Sequence, residues 1–160
     1  MISARRLRYG ESELYRQIRL TSLQESPSAF TTTYESALRR APESWREQAD
    51  QSAEGPDRAT FLLFSDEVPI GLAALYRDAK LLDTGELIQV WVAPDFRGTG
   101  AVDILMNAII TWAKENNFHQ VFAGVASGND KALKFYQKWG FRLVDEMKED
   151  ASGCFLVKDV

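Results

Sequence analysis

Residues 86–102 read ELIQVWVAPDFRGTGAV, and this stretch decides the fold. Five apolar residues within Glu86–Val92 predict a strand that is buried on both faces. Pro94 ends that strand, two glycines follow, and the apolar spacing of Gly100–Asn116 predicts a helix. A second apolar strand, Val121–Val125, follows the helix. The order of strand, helix and strand predicts a parallel crossover, and ligands tend to bind at the carboxyl ends of such strands.

The segments on either side of this crossover predict further strands and helices. The other predicted strands are Arg5–Tyr9, Thr60–Ser65, Val68–Arg77, Phe141–Met147 and Cys154–Val157, with a polar turn at Asp150–Gly153 between the last two. The other predicted helices are Glu11–Leu23, Thr33–Arg40, Pro42–Gln51 and Asp130–Trp139. This order indicates a mixed sheet covered by helices, which is an α+β fold.

Length and charge limit the classes of function. The 160 residues predict one domain that spans residues 1–160. The net charge is −4, and the sequence pI is about 5.1. An acidic chain without a basic stripe argues against electrostatic binding of nucleic acid.

The rare residue types also exclude some functions. Cys154 is the one cysteine and His119 the one histidine, so the sequence predicts no internal disulfide and no metal site. The longest apolar run has five residues, and the first ten residues contain no apolar signal core. We therefore expect no membrane span and a soluble cytoplasmic protein.

The glycine turn between Val92 and Val102 is the first candidate site. Gly98 and Gly100 allow a tight backbone turn and the close approach of a ligand. The amides at the start of the next helix, its dipole and the charge of Arg97 favour an anion, and a diphosphate is the natural ligand. On these residues alone, a simple turn from strand to helix remains the alternative.

This turn resembles the acyl-CoA-binding motif of the GNAT superfamily of N-acetyltransferases, [QR]-x-x-G-x-[GA]. Arg97 matches its first position and Gly100 its glycine, while Leu105 and Met106 match the usual apolar pair in the helix. Val102 departs from the pattern, since glycine or alanine is usual there.

A second motif resembles the same family more specifically. Residues 129–141 read NDKALKFYQKWGF and match the pattern N-x-x-A-[IL]-x-[LF]-Y-x-K-x-G-F at every specified position. Asn129 stands just before a predicted helix, where its side chain either caps that helix or bonds a ligand. The two motifs occur in the order of the family, and the resemblance covers about residues 60–147.

The resemblance implies a fold and a cosubstrate. It implies a mostly antiparallel sheet of about six to seven strands, flanked by about four helices, with the crossover at the cofactor site. Acetyl-CoA is the implied cosubstrate, with no metal. The implied cofactor-binding residues are Val90, Trp91, Val92, Arg97, Gly98, Thr99, Gly100, Ala101, Val102, Asn129, Tyr136 and Lys138.

The resemblance also implies catalytic roles. Tyr136 is the expected general acid for the departing thiolate, although a tyrosine here is also common core material. Glu86 is the proposed base, and an exposed charge at the strand end is the alternative. Asp83 and Gln89 are weaker candidates. The acceptor is expected to lie against Phe30, Tyr34 and Glu35.

These expectations predict an N-acetyltransferase that moves an acetyl group from acetyl-CoA to a primary amine. The amine belongs to a small molecule, to a protein N-terminus or to a lysine, and similar proteins are often homodimers. Two alternatives remain at this point. One is a non-catalytic acyl-CoA-binding or sensing module on the same fold, and the other is an interaction domain that does not bind CoA.

Overall fold

The computed structural model describes residues 1–144 and 153–160, and the strands within them form one sheet. The strands are β1 (Ile2–Arg6), β2 (Arg58–Ser65), β3 (Val68–Arg77), β4 (Thr84–Val92), β5 (Gln120–Ala126), β6 (Arg142–Val144) and β7 (Gly153–Asp159). Their spatial order is β1-β2-β3-β4-β5-β7-β6. Neighbours are antiparallel, except that β4 and β5 are parallel. The predicted α+β fold with a mostly antiparallel sheet is confirmed.

The helices cover both faces of this sheet. They are α1 (Ser12–Glu25), α2 (Tyr34–Leu38), α3 (Pro42–Gln51), α4 (Ala101–Glu115) and α5 (Asp130–Lys138). Buried residues of α1, α2 and α3 share one apolar cluster, while α4 and α5 pack into the other. Within the described residues, no helix is long and apolar enough to cross a membrane.

Strand β2 shows how the two cores are separated. Leu62 and Leu63 are both fully buried, but Leu62 packs with α1–α3 and Leu63 packs with α4. Successive side chains of a strand point to opposite faces, so a continuous apolar run serves both cores. The same reasoning explains the apolar end of β4, where the consecutive residues Trp91 and Val92 belong to different clusters.

The predicted position of the first strand is wrong by three residues. The prediction was Arg5–Tyr9, and the structure has Ile2–Arg6 paired with β2. Two arginines fit inside this strand because aromatic rings cover them. The guanidinium of Arg5 lies 5.0 Å from the centre of the Phe64 ring, and that of Arg6 lies 5.1 Å from Trp112.

The end of the chain is only partly described. The predicted strand Phe141–Met147 is represented by Arg142–Val144, and its residues 145–147 lie outside the described residues. The predicted turn at 150–153 also lies outside them, apart from Gly153, which begins β7.

Gly71 permits the close pairing of β3 with the end of β4. A methyl group at Gly71 would lie 2.8 Å from the Trp91 carbonyl oxygen and 3.3 Å from Leu63 Cβ. Neither neighbour has room to move, so we expect Gly71→Ala to lower the free energy of unfolding by ~1–3 kcal/mol in urea titrations. In the comparison variant Gly124→Ala, the atom nearest to the added methyl group belongs to the partly buried Phe155 ring, 3.2 Å away, so we expect a smaller loss. Equal losses in the two variants would contradict this account.

Candidate active site

A β-bulge in β4 separates this strand from its parallel neighbour. Leu72 of β3 faces Trp91 and Ala74 faces Ile88, so two steps along β3 correspond to three along β4. Gln89 lies inside this bulge with a left-handed φ of 61°. The Tyr15 hydroxyl donates a 2.8 Å hydrogen bond to Gln89 Oε1. Because bulges bend the strand that carries them, β4 turns away from β5 at this point.

The parting of β4 and β5 opens a cavity of about 600 Å³. In the described residues, the two strands pair at only three positions, the last being Glu86 opposite Phe122. Beyond that pair, residues 86–90 form one wall and residues 124–126 the other. Residues 28–32, between α1 and α2, cover the same cavity. It therefore lies at the carboxyl ends of the parallel strands, where the crossover predicts a ligand.

Tyr136 is a buried wall residue of this cavity. It is 8% exposed and packs edge-on against the rings of Phe135 and Phe141, each 5.2 Å away. No group among the described residues bonds its hydroxyl. Burial raises the pKa of the Tyr136 phenol well above its usual value. The hydroxyl is therefore protonated at neutral pH and available as a proton donor.

Glu86 and Asn129 line the same cavity from different elements. Glu86 is partly buried near the start of β4. Asn129 caps α5, since its Oδ1 accepts a hydrogen bond of 3.2 Å from the Ala132 amide. Capping uses only the oxygen of the side chain, so the amide nitrogen is left to face a ligand.

The glycine turn presents a set of backbone donors outside the cavity wall. Gly98 and Gly100 have φ values of 77° and 87°, and Gly100 precedes α4 without a side-chain cap. The Thr99 hydroxyl donates to the Phe96 carbonyl at 2.6 Å, which closes the turn. Within the described parts of the chain, the amides of Gly98, Thr99, Gly100 and Val102 have no acceptor. Successive free amides at a helix start form an anion-binding concavity.

Arg97 is held back against β4 by an ion pair. Its Nε donates to the Val92 carbonyl at 2.9 Å, and its Nη2 donates to Glu25 Oε1 at 2.7 Å. The same Glu25 oxygen accepts from Trp91 Nε1 at 2.9 Å and from the Ser26 hydroxyl. These contacts join the end of α1 to the glycine turn, and they orient the Arg97 side chain beside it.

The structure brings only part of the predicted site together. Glu86, Val90, Asn129, Tyr136 and Phe30 line the cavity. The other predicted residues lie outside the cavity wall. Trp91 and Val92 are buried in the cores, and residues 97–102 lie in and after the glycine turn. Lys138 lies on α5, and Tyr34 and Glu35 lie on α2.

Two residues that sequence reasoning did not select, Arg19 and Glu25, contribute to this region, and Gln89, predicted only as a weaker candidate base, also lines the cavity. Arg19 is 6% exposed and lines the cavity. A signal for it exists, because Arg19 is four residues after Tyr15 and falls within the apolar stripe of α1. Glu25 has no comparable signal, since its partner Arg97 is 72 residues away.

The acidic and sulfur-bearing residues do not gather into a metal centre in the described parts of the chain. Among residues 1–144 and 153–160, no group of three or more His, Cys, Asp or Glu residues could hold an ion. Cys154 is partly buried in the cavity wall. His119 is exposed and lies 3.6 Å from Asp83, before β5 begins.

Comparison with known proteins supports the family resemblance of the two sequence motifs. Residues 21–141 match the model of the acetyltransferase (GNAT) family. An uncharacterized N-acetyltransferase of Mycobacterium tuberculosis is 33% identical over 89 residues, which cover 55% of this chain and 55% of that protein. Acetyltransferase PseH of Campylobacter jejuni is 36% identical over 101 residues, 62% of this chain and 60% of that protein. The match thus spans little more than half the length of either relative.

A solved structure extends the likeness to the whole chain. The PaiA N-acetyltransferase of Thermoplasma acidophilum, in complex with coenzyme A, has a TM-score of 0.82 and 20% identity. The match covers 100% of this chain and 99% of that one. The chain therefore has the fold of the GNAT acetyltransferases, and the family match shows that it belongs to them. The resemblance seen in the two sequence motifs is confirmed.

The Glu25 cluster predicts a pH dependence of stability. Hydrogen bonds from Ser26, Trp91 and Arg97 lower the pKa of Glu25 from 4.5 to about 2. Its contribution is present above pH 4.5 and is lost as the pH falls toward 2. Because Glu25 is partly exposed, we expect Glu25→Gln to lower the free energy of unfolding at pH 7 by at most ~1 kcal/mol.

Urea titrations at pH 7 and pH 3 test this expectation. The difference between wild type and Glu25→Gln should shrink at pH 3. The control is Glu13→Gln, whose carboxylate lies 3.9 Å from Arg16 at the surface, and it should change little at either pH. A Glu25→Gln deficit that stays constant between the two pH values would show that the lowered pKa does not contribute to stability.

Proposed function

We propose that this protein is an acetyl-CoA-dependent N-acetyltransferase that acetylates a primary amine. The observation that carries the proposal is the parting of β4 and β5, which opens a cavity with Glu86 and Tyr136 on its walls. Membership of the GNAT acetyltransferases supports the donor, and the relative from T. acidophilum binds coenzyme A. We also propose that residues 1–160 act as one domain.

The residues present fit coenzyme A. The free amides of the glycine turn suit its diphosphate, and the guanidinium of Arg97, paired with Glu25, lies beside them. The Val102 side chain packs against the core around α4, which leaves its amide available. When bound, acetyl-CoA supplies a thioester carbonyl. Val90 lies in the bulge, without a partner in the β3 register, and its backbone amide is our candidate donor to that carbonyl oxygen.

Two side chains are proposed to move protons. Glu86 accepts a proton from the acceptor ammonium, directly or through a water molecule. The Tyr136 hydroxyl donates a proton to the departing sulfur, and its raised pKa keeps it protonated until then. The cavity holds both reactants together, which supplies much of the expected acceleration.

The acceptor belongs to one of three classes: a small amine, a protein N-terminus or a lysine side chain. A non-catalytic acyl-CoA-binding module is not favoured, because the relatives are described as acetyltransferases. A homodimer and a cytoplasmic location stay predictions from the sequence.

Binding and turnover are tested separately. Acetyl-CoA at 100 times its Kd should stabilise the protein by ~2.7 kcal/mol, which a thermal melt detects. Release of free thiol in the presence of an amine panel then tests transfer. Stabilisation without thiol release would indicate a binding module, and an unchanged melting temperature would overturn the proposal.

Tyr136→Phe tests the proton donor. The hydroxyl has no bonding partner among the described residues, so stability and the KM for acetyl-CoA should change little. We expect kcat to fall by about 100-fold, because general acid catalysis contributes at least that much. The matched control Tyr9→Phe alters an exposed tyrosine outside the cavity wall and should keep wild-type kcat. An unchanged kcat in Tyr136→Phe would remove Tyr136 from the mechanism.

A further inference from the structure

Arg19 is a buried cation that the proposed reaction does not use. It lies on α1, is 6% exposed and lines the cavity. Among the described residues, the hydrogen bond that Arg19 donates is a long one, from Nη1 to the Ser22 hydroxyl at 3.4 Å. No carboxylate among residues 1–144 and 153–160 lies within ion-pairing distance of it. Burial of a charge that no described carboxylate pairs is unfavourable by several kcal/mol, which points to an anionic ligand.

The surroundings of Arg19 increase the positive potential. The Phe30 ring, which also lines the cavity, is stacked 4.6 Å from the guanidinium carbon. Arg40 lies close enough to interact with Arg19, and burial together with this second cation lowers the pKa of Arg19. The side chain nevertheless stays charged at neutral pH, because a guanidinium does not deprotonate in proteins. Two tyrosines, Tyr15 and Tyr76, face the same group.

Gln89 supplies a second polar group on the same wall. Its Oε1 accepts the Tyr15 hydroxyl at 2.8 Å, so the hydrogen atoms on Nε2 are directed elsewhere. No described residue accepts a hydrogen bond from Nε2. The residue is also held in a left-handed conformation that glutamine seldom adopts, and such strain is often retained at ligand sites.

Charge complementarity defines the ligand. Arg19 and Glu86 are the two charged residues in the described wall of the cavity, and they lie on different elements. A molecule with an amine and a carboxylate would match both of them. A compact planar carboxylate also suits the fork of a guanidinium, in a cavity of about 600 Å³ that must admit an acyl arm as well.

We propose that the acceptor is a primary amine that carries a carboxylate, and that Arg19 binds this carboxylate while Gln89 Nε2 assists. The proposal rests on the proposed acetyltransferase function and specifies its substrate class. Arg19 is a specificity residue in this scheme and does not transfer protons. An amine without an anionic group would leave the buried cation unpaired and should react poorly.

The first experiment uses the wild-type protein and paired acceptors. Thiol release is measured with α-amino acids, with ω-amino acids of two to six carbons, and with the carboxamide of each. A charge-assisted hydrogen bond predicts kcat/KM about 10- to 100-fold higher for the carboxylates. Carboxamides or plain diamines that react equally well or better would overturn the role of Arg19 while the acetyltransferase function stands. No turnover with any amine would overturn both proposals.

The second experiment substitutes Arg19 and uses the best carboxylate from the first. Arg19→Gln should raise the KM for that acceptor about 10- to 100-fold and remove the preference over the carboxamide. Arg19→Lys should restore part of the preference, because the charge is kept without the planar fork. The KM for acetyl-CoA should not change. The matched control is Arg16→Gln, a half-buried arginine of α1 outside the cavity wall, which should behave as wild type.

Two results would overturn the proposal at this stage. One is a rise in the KM for acetyl-CoA with unchanged acceptor preference, which would place Arg19 in the donor site. The other is a preference for carboxylates that survives in Arg19→Gln while acetyl-CoA still stabilises that variant in a thermal melt. If the variants do not fold, the comparison of carboxylates with carboxamides in the wild-type protein still decides the question.

Discussion

The hydrogen bond from Tyr15 to Gln89 is the contact on which the site depends. It joins a buried tyrosine of α1 to the one residue of β4 whose backbone is left-handed. The extra residue in β4 ends its pairing with β5, and the cavity exists because the two strands diverge there. A regular β4 would continue the ladder and fill the same space with paired backbone. The bulge therefore converts a packed sheet into a sheet with a cavity.

A second contact connects the glycine turn to the opposite half of the molecule. Glu25, the last residue of α1, receives hydrogen bonds from Trp91 and from Arg97. Helix α1 thus contacts the site twice. Tyr15, near the start of the helix, bonds Gln89 in the bulge, and Glu25, at the end of the helix, bonds Arg97 of the glycine turn. Arg19 lies between these points and faces the cavity. The first half of the chain thus supplies one side of the cavity wall, through Arg19 and residues 28–32.

The sequence predicted the elements better than it predicted their contacts. The bounds of β3 and α3 agree with the structure, and β4, α4 and β5 agree within two residues. These elements carry strong apolar periodicity or a clear boundary such as Pro42. The first strand was placed three residues too late, because only its pairing with β2 shows that the strand runs from Ile2 to Arg6 and includes Arg5 and Arg6. Aromatic rings from β2 and α4 cover them, and a pattern along one segment does not show that.

Periodicity and motif spacing determined the α+β fold, the crossover and the family, since these depend on residues that are near one another in the chain. The glycine turn and the helix that carries Tyr136 were recognisable for the same reason. Only the tertiary structure decided which side chains share the cavity. Glu25 meets Arg97 and Tyr15 meets Gln89 across more than 70 residues, and Arg19 is left without a carboxylate among the described residues by the way α1 packs. Contacts of that range depend on the complete packing of the chain, which no local pattern records.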